Sequence, residues 1–192
     1  MKLVIIDYGA GNIQSIKFAF KRLGVDAELT DDIETIQRAD KVIFPGVGEA
    51  SSAMEKLWDS GLHDLIPQLK QPVLGICLGM QLMCKSSEEG RTEGLGIFDI
   101  DVIRFSNVVK VPHIGWNKIE RLSSPLFNGL IDDFIYMVHS YYAPMCKETV
   151  ASSTYDVRYS AGLQKKNFYG LQFHPEKSGK YGAKILENFL TI

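Results

Sequence analysis

The chain has 192 residues, of which 45% are hydrophobic, 10% aromatic and 23% charged. This composition is average for a soluble globular protein and excludes disordered, collagen-like and coiled-coil chains, while the length predicts a single domain over residues 1–192. Because 21 Lys and Arg are balanced by 23 Asp and Glu, the net charge is −2 and no cationic surface for nucleic acid is expected.

The first half of the chain alternates predicted strands and predicted helices. Buried apolar runs predict the strands, and apolar residues at helical spacing predict the helices. The strands are predicted at 2–6, 25–29, 41–44 and 73–76, and the helices at 13–23, 50–58, 62–69 and 78–84. This alternation indicates an α/β fold with a mostly parallel central sheet and helices on both faces.

The second half is rich in predicted strands and begins with a polar loop at 86–94. The strands are predicted at 97–105, 108–111, 134–141, 150–154, 161–164 and 169–173, before a final amphipathic helix at 179–190. We expect these additional strands to be antiparallel and to extend or flank the parallel sheet.

Apolar runs and cysteines limit the location and the chemistry of the protein. No run approaches the roughly 18 apolar residues of a membrane helix, so we expect a cytoplasmic protein without a membrane partner. Cys77, Cys84 and Cys146 form no C-x-x-C pair, which argues against a disulfide framework and against a zinc site. We expect no metal site, and an important cysteine here would be a nucleophile.

The segment Gly75-Ile76-Cys77-Leu78-Gly79 lies where a buried strand turns into a helix. This is the pattern of a nucleophile elbow, with sulfur in place of oxygen. The helix N-terminus would favour the thiolate of Cys77, and the Leu78 N–H would point at an oxyanion formed there. The alternative is a buried cysteine flanked by turn glycines.

Two further segments follow predicted strands. His174 and Glu176 would supply a base and the carboxylate that orients it, if their strand runs parallel to the strand before Cys77. The segment Pro45-Gly46-Val47-Gly48 could complete an oxyanion hole with backbone N–H groups, although on its own a plain loop is the better interpretation.

These three motifs, in this order, resemble the class I triad glutamine amidotransferases. The segments D-Y-G-A-G-N at 7–12 and V-P-H-I-G-W-N at 111–117 add a resemblance to the glutaminase subunits of that family that serve histidine biosynthesis. The resemblance spans residues 2–190. It implies a flavodoxin-like fold and hydrolysis of the side-chain amide of L-glutamine through a cysteine thioester, with no cofactor.

The resemblance also implies a role for each matching residue. Cys77 matches the nucleophile, His174 the base and Glu176 its partner. The oxyanion-hole positions match Val47, Gly48 and Leu78, and the substrate-binding positions match Gly46, Gln81, Ser140 and Tyr141.

A partner is implied as well, namely a (β/α)₈-barrel cyclase that receives the ammonia in a heterodimer. The residues that match its contact surface are Asn12, His113, Trp116 and Asn117. From the residues alone, Asn12 could equally cap a helix and Trp116 could equally lie in the core.

Three alternatives remain open at this stage. The chain could be a triad glutaminase that serves another synthase, in purine, anthranilate or pyridoxal phosphate synthesis. It could be a cysteine hydrolase of peptides or small amides. The third alternative is not an enzyme but a flavodoxin-like binding module whose site is no longer catalytic.

Overall fold

A mixed sheet forms the centre of the fold in this computed structural model, which describes residues 1–9 and 12–192. Its strands, in chain order, are β1 Leu3–Ile6, β2 Glu28–Thr30, β3 Lys41–Phe44, β4 Val73–Ile76, β5 Cys84–Ser87, β6 Thr92–Glu93, β7 Phe98–Arg104, β8 His113–Ile119, β9 Asp133–His139, β10 Tyr141–Pro144, β11 Thr149–Thr154, β12 Arg158–Lys165 and β13 Phe168–Leu171. The main sheet has the order β2-β1-β3-β4-β13-β12-β10-β7-β5-β6, with β11 paired to β12, and its first five strands are parallel. The strands β8 and β9 form a separate antiparallel ribbon.

Helices cover both faces of the parallel strands. The helices are α1 Ile13–Arg22, α2 Ile33–Gln37, α3 Ala50–Asp59, α4 Leu62–Leu65, α5 Leu78–Leu82 and α6 Gly179–Thr191. Alternate residues of β1 point to opposite faces, so Ile5 packs in the core that contains helices α1 and α6, and Val4 in the core that contains α2, α3 and α4. The predicted α/β fold, with a flavodoxin-like strand order and antiparallel strands in the second half, is confirmed.

Two of the predicted elements differ from the structure in extent or existence, and the last predicted strand, found at Phe168–Leu171, runs parallel to β4 although it was expected to be antiparallel. The helix predicted at 78–84 ends at Leu82, because Cys84 pairs with Phe98 and begins a strand. The strand predicted at 108–111 does not form, because the backbone turns at 107–108 and leaves Val108 90% exposed, and the next strand begins after Pro112.

Within the described part of the chain, no helix has both the length and the apolar character needed to cross a membrane. The same residues contain no cluster of three or more His, Cys, Asp or Glu side chains that could hold a metal ion.

Candidate active site

The segment from β4 to α5 forms a strained turn with Cys77 at its centre. Cys77 has φ 54° and ψ −111°, a left-handed backbone conformation that side chains rarely adopt. A Cβ at Gly79 would collide with the carbonyl oxygen of Phe44, and one at Gly46 would lie 2.5 Å from the Gly79 nitrogen. The glycines therefore let the 45–48 loop pack directly against the turn that carries Cys77.

Cys77 and His174 leave the sheet at the same edge. Strands β4 and β13 are parallel neighbours, with Ile76 beside Leu171, and the Cys77 N–H donates to the Leu171 carbonyl at 2.7 Å. His174 follows three residues after Leu171. The condition set by the sequence, that both strands run in the same direction, is therefore met.

His174 and Glu176 form a buried pair. Nδ1 of His174 lies 2.8 Å from Oε1 of Glu176, and the two side chains are 3% and 1% exposed. Among the described residues, Nε2 of the ring has no hydrogen-bond partner. Burial lowers the pKa of His174, but interactions with Cys77 and Glu176 raise it more, so the pKa lies well above the usual 6.5.

A cavity of about 260 Å³ opens beside the Cys77 sulfur. Most of the predicted site residues line it, namely Val47, Gly48, Cys77, Leu78, Gln81, Ser140, Tyr141 and His174. Gly46 is not among the residues that line the cavity, and its backbone packs closely against Leu78 and Gly79. Glu176 lies behind His174.

The side-chain amide of Gln81 is held by the protein. Its Nε2 donates to the Tyr141 carbonyl and to Oε1 of Gln172, both at 2.9 Å. Only Oε1 of Gln81 is left for a ligand in the cavity.

One carboxylate of the cavity wall was missed by the sequence analysis. Glu89 lines the cavity, and its Oε2 accepts a hydrogen bond of 3.0 Å from the Ala50 N–H at the start of α3. Burial raises the pKa of this carboxyl. Glu89 lies in a polar loop, and nothing in the sequence indicated that it has a functional role. It comes close to Ala50 only in the folded chain.

The comparison with known families decides the family. The family model described as Glutamine amidotransferase class-I matches residues 4–192. The chain belongs to the class I glutamine amidotransferases. An imidazole glycerol phosphate synthase subunit HisH from Bacteroides fragilis (strain YCH46) is 56% identical, over 100% of this chain and 100% of its own.

Other similar proteins agree with this assignment. The imidazole glycerol phosphate synthase subunit HisH of Haemophilus influenzae (strain 86-028NP) is 47% identical over 98% of this chain and 96% of its own. Among solved structures, PurLQS from Thermotoga maritima superposes with a TM-score of 0.76 over 99% of this chain and 97% of the other, at 17% identity. At that identity the likeness shows the fold alone.

The residues predicted to face a partner of this class I amidotransferase have different environments. Trp116 is 56% exposed on the β8–β9 ribbon, and the exposed Asn12 accepts a hydrogen bond from the Ser15 hydroxyl. Asn117 is half-buried and donates to the Thr154 carbonyl at 2.9 Å. Two residues of the segment at 7–12, Ala10 and Gly11, lie outside the described residues.

His113 does not present its ring to a partner. The side chain is 5% exposed and stacks on Tyr155, with 3.9 Å between the ring centroids. The alternation along β8 turns position 113 inward and position 114 outward. The exposed apolar side chains of the ribbon are instead Ile114, Trp116 and Phe134.

Proposed function

We propose that this chain is the glutaminase subunit of an imidazole glycerol phosphate synthase of histidine biosynthesis. It hydrolyses the side-chain amide of L-glutamine to glutamate and ammonia, and the ammonia goes to a cyclase that forms imidazole glycerol phosphate and AICAR. The observation that carries the proposal is that Cys77 and His174 line one cavity and that Glu176 is hydrogen-bonded to His174 from behind. Relatives of 46–56% identity with that subunit name support the choice of synthase.

The reaction runs through a thioester on Cys77. His174 takes the thiol proton, the sulfur attacks the amide carbon, and the oxyanion forms beside the N–H groups of Leu78 and the 47–48 loop. His174 then protonates the departing ammonia. A water molecule loses a proton to His174 and attacks the thioester, which releases glutamate and restores the thiol.

The cavity wall offers complementary groups for the amino-acid end of glutamine. Glu89 provides a carboxylate for the ammonium group, and Gln81 has a free acceptor in Oε1. Ser140 and Tyr141 provide backbone beside Gln81, whose Nε2 donates to the Tyr141 carbonyl. These contacts favour a free amino acid over a peptide, whose backbone amide carries no ammonium charge.

The proposed partner is a (β/α)₈-barrel cyclase that binds in a heterodimer over the β8–β9 ribbon. Ile114 lies both on the exposed face of the ribbon and at the cavity, so a partner docked there would cover the mouth of the site. We propose that residues 1–192 form one amidotransferase domain, that no cofactor is used, and that the enzyme works in the cytoplasm.

Reconstitution with the cyclase tests the function. Glutamate release from glutamine is measured for the chain alone, with the cyclase, and with the cyclase and its ribonucleotide substrate. We expect weak turnover alone and a clear increase in the complex. Comparable turnover in all three conditions would contradict a channelling subunit, and failure of an electrophilic glutamine analogue to modify Cys77 would contradict the nucleophile.

A further inference from the structure

Gln172 is a buried polar residue to which the proposed mechanism assigns no role. Its neighbours Leu171 and Phe173 pack in the core that contains α1 and α6, so Gln172 faces the other side of the sheet, toward α5. The residue is 0% exposed. A buried amide is costly unless its donors and acceptor are satisfied, so its contacts indicate what the site requires there.

The contacts of Gln172 have a defined direction. Nε2 of Gln81 donates to Oε1 of Gln172 at 2.9 Å, so the oxygen of the Gln172 amide faces Gln81. The Gln172 nitrogen therefore faces the other way, and Nε2 lies 3.9 Å from Sγ of Cys77. Gln81 is itself held by the Tyr141 carbonyl, which also lies 2.8 Å from Nδ1 of His139.

The sulfur of Cys77 therefore lies between an acceptor and a donor. The thiol donates to the Val138 carbonyl at 3.7 Å, which stabilises the protonated form. The N–H of Gln172 stabilises the ionised sulfur more than the thiol, because an ionised acceptor strengthens a hydrogen bond. His174 lies in the same cavity and can receive that proton.

We propose that Gln172 is a positioning residue that holds an amide N–H against the Cys77 thiolate and keeps Gln81 oriented toward the substrate. The inference rests on the proposed function, since it assigns Gln172 to the activation of the nucleophile named there. Gln172 does not touch the substrate. Its two effects are separable, because one acts on the sulfur and the other on Gln81.

The test replaces Gln172 by an apolar side chain of similar size. For Gln172→Met in the full chain, we expect the pH of half-maximal iodoacetamide alkylation of Cys77 to rise by about half a unit to one unit, because the thiolate loses a donor. With the cyclase present, we expect kcat to fall about tenfold and KM for glutamine to rise, since Gln81 loses an acceptor.

A matched control separates this effect from the loss of any buried amide. Asn188 is also buried and donates to the carbonyls of Leu126 and Asn128, on the helix α6 side of the sheet. We expect Asn188→Leu to lower thermal stability without moving the alkylation midpoint. If Gln172→Met lowers stability in the same way and its midpoint equals that of the wild type, Gln172 is only structural and the inference is wrong.

A measurement on the wild type covers the case in which Gln172→Met does not fold. In NMR spectra of the ¹⁵N-labelled chain, we expect the chemical shift of one glutamine side-chain amide to change with pH, with the same midpoint as the alkylation of Cys77. This pH dependence should disappear in Cys77→Ala. Absence of any such signal contradicts the inference alone. Glutaminase activity retained in Cys77→Ala would instead contradict the proposed function.

Discussion

The cavity has two sides that are built in different ways. On the elbow side, Gly46 and Gly79 pack so closely that a single added carbon would collide with backbone, and Cys77 is held at a positive φ. On the ribbon side, β8 and β9 pair only with each other as a sheet, and Ile114 is 61% exposed. The first side fixes reacting atoms by backbone geometry, whereas the second presents an apolar surface that its own chain does not cover.

The histidines at this cavity show the same contrast. His174, on the elbow side, lies beside Glu176 and Cys77, and its pKa is raised. His139, at the end of the ribbon strand β9, is buried beside no carboxylate, and burial lowers its pKa to about 3. The protein therefore keeps one imidazole available for protonation and the other neutral within the same cavity.

The largest effect is expected from removing the sulfur of the elbow side. We predict that Cys77→Ala lowers glutaminase turnover of the complex by about 10⁴-fold or more, because no thioester can form. The measurement is glutamate release with the cyclase present. Cys146→Ala is the control, since its half-buried thiol lies outside the cavity and its loss should leave the rate within a factor of about two.

The packing of the elbow side is tested by adding one carbon. We predict that Gly79→Ala destabilises the chain by about 3 kcal/mol or more in urea unfolding, because the added Cβ meets the Phe44 carbonyl, which belongs to a central strand. Activity should fall about 100-fold as the 45–48 loop is displaced from Leu78.

The control for this substitution is Gly24→Ala. Gly24 has φ +79° and open space around it, so the variant carries only the backbone strain of about 1–2 kcal/mol. Equal destabilisation by the two substitutions would show that steric contact at Gly79 does not shape the elbow.

The elbow side was the more predictable of the two from the sequence. Glycines on both sides of Cys77 indicate a tight turn by local sterics, and the motif order identifies His174, although the direction of the strand before His174 was only a condition until the fold showed it parallel to β4. The ribbon was not predictable, because its two strands pair across about twenty residues of sequence. The alternation of residues along a strand also does not show which of its two faces is buried. His113 was therefore assigned to the surface although its ring is buried, and Gln172 was recognised only through its contacts in the fold.

The ribbon side is tested by its exposed tryptophan. We predict that Trp116→Ala weakens binding of the cyclase by about 2 kcal/mol, or roughly 30-fold in Kd, because an exposed aromatic at an interface centre contributes strongly to affinity. The melting temperature of the isolated chain should change little. Trp58→Ala is the matched control, since Trp58 is 55% exposed on α3 and its loss should leave Kd unchanged.

The last prediction separates the two histidines by the pH dependence of stability. The pKa of His174 is raised from 6.5 to about 10, so its contribution to stability is complete below pH 6.5 and is lost as the pH rises toward 10. The pKa of His139 is lowered to about 3, so its contribution is present above pH 6.5 and is lost as the pH falls toward 3.

Urea unfolding midpoints from pH 4 to 10 therefore distinguish the variants. The stability advantage of the wild type over His174→Gln should shrink only on the alkaline side of pH 6.5, and its advantage over His139→Gln only on the acid side. These opposite trends would show that protonation of His174 stabilises the fold, whereas protonation of His139 destabilises it. Parallel pH profiles for the two variants would mean that the carboxylate of Glu176 does not distinguish these imidazoles, and the contrast between the two sides would then be one of packing alone.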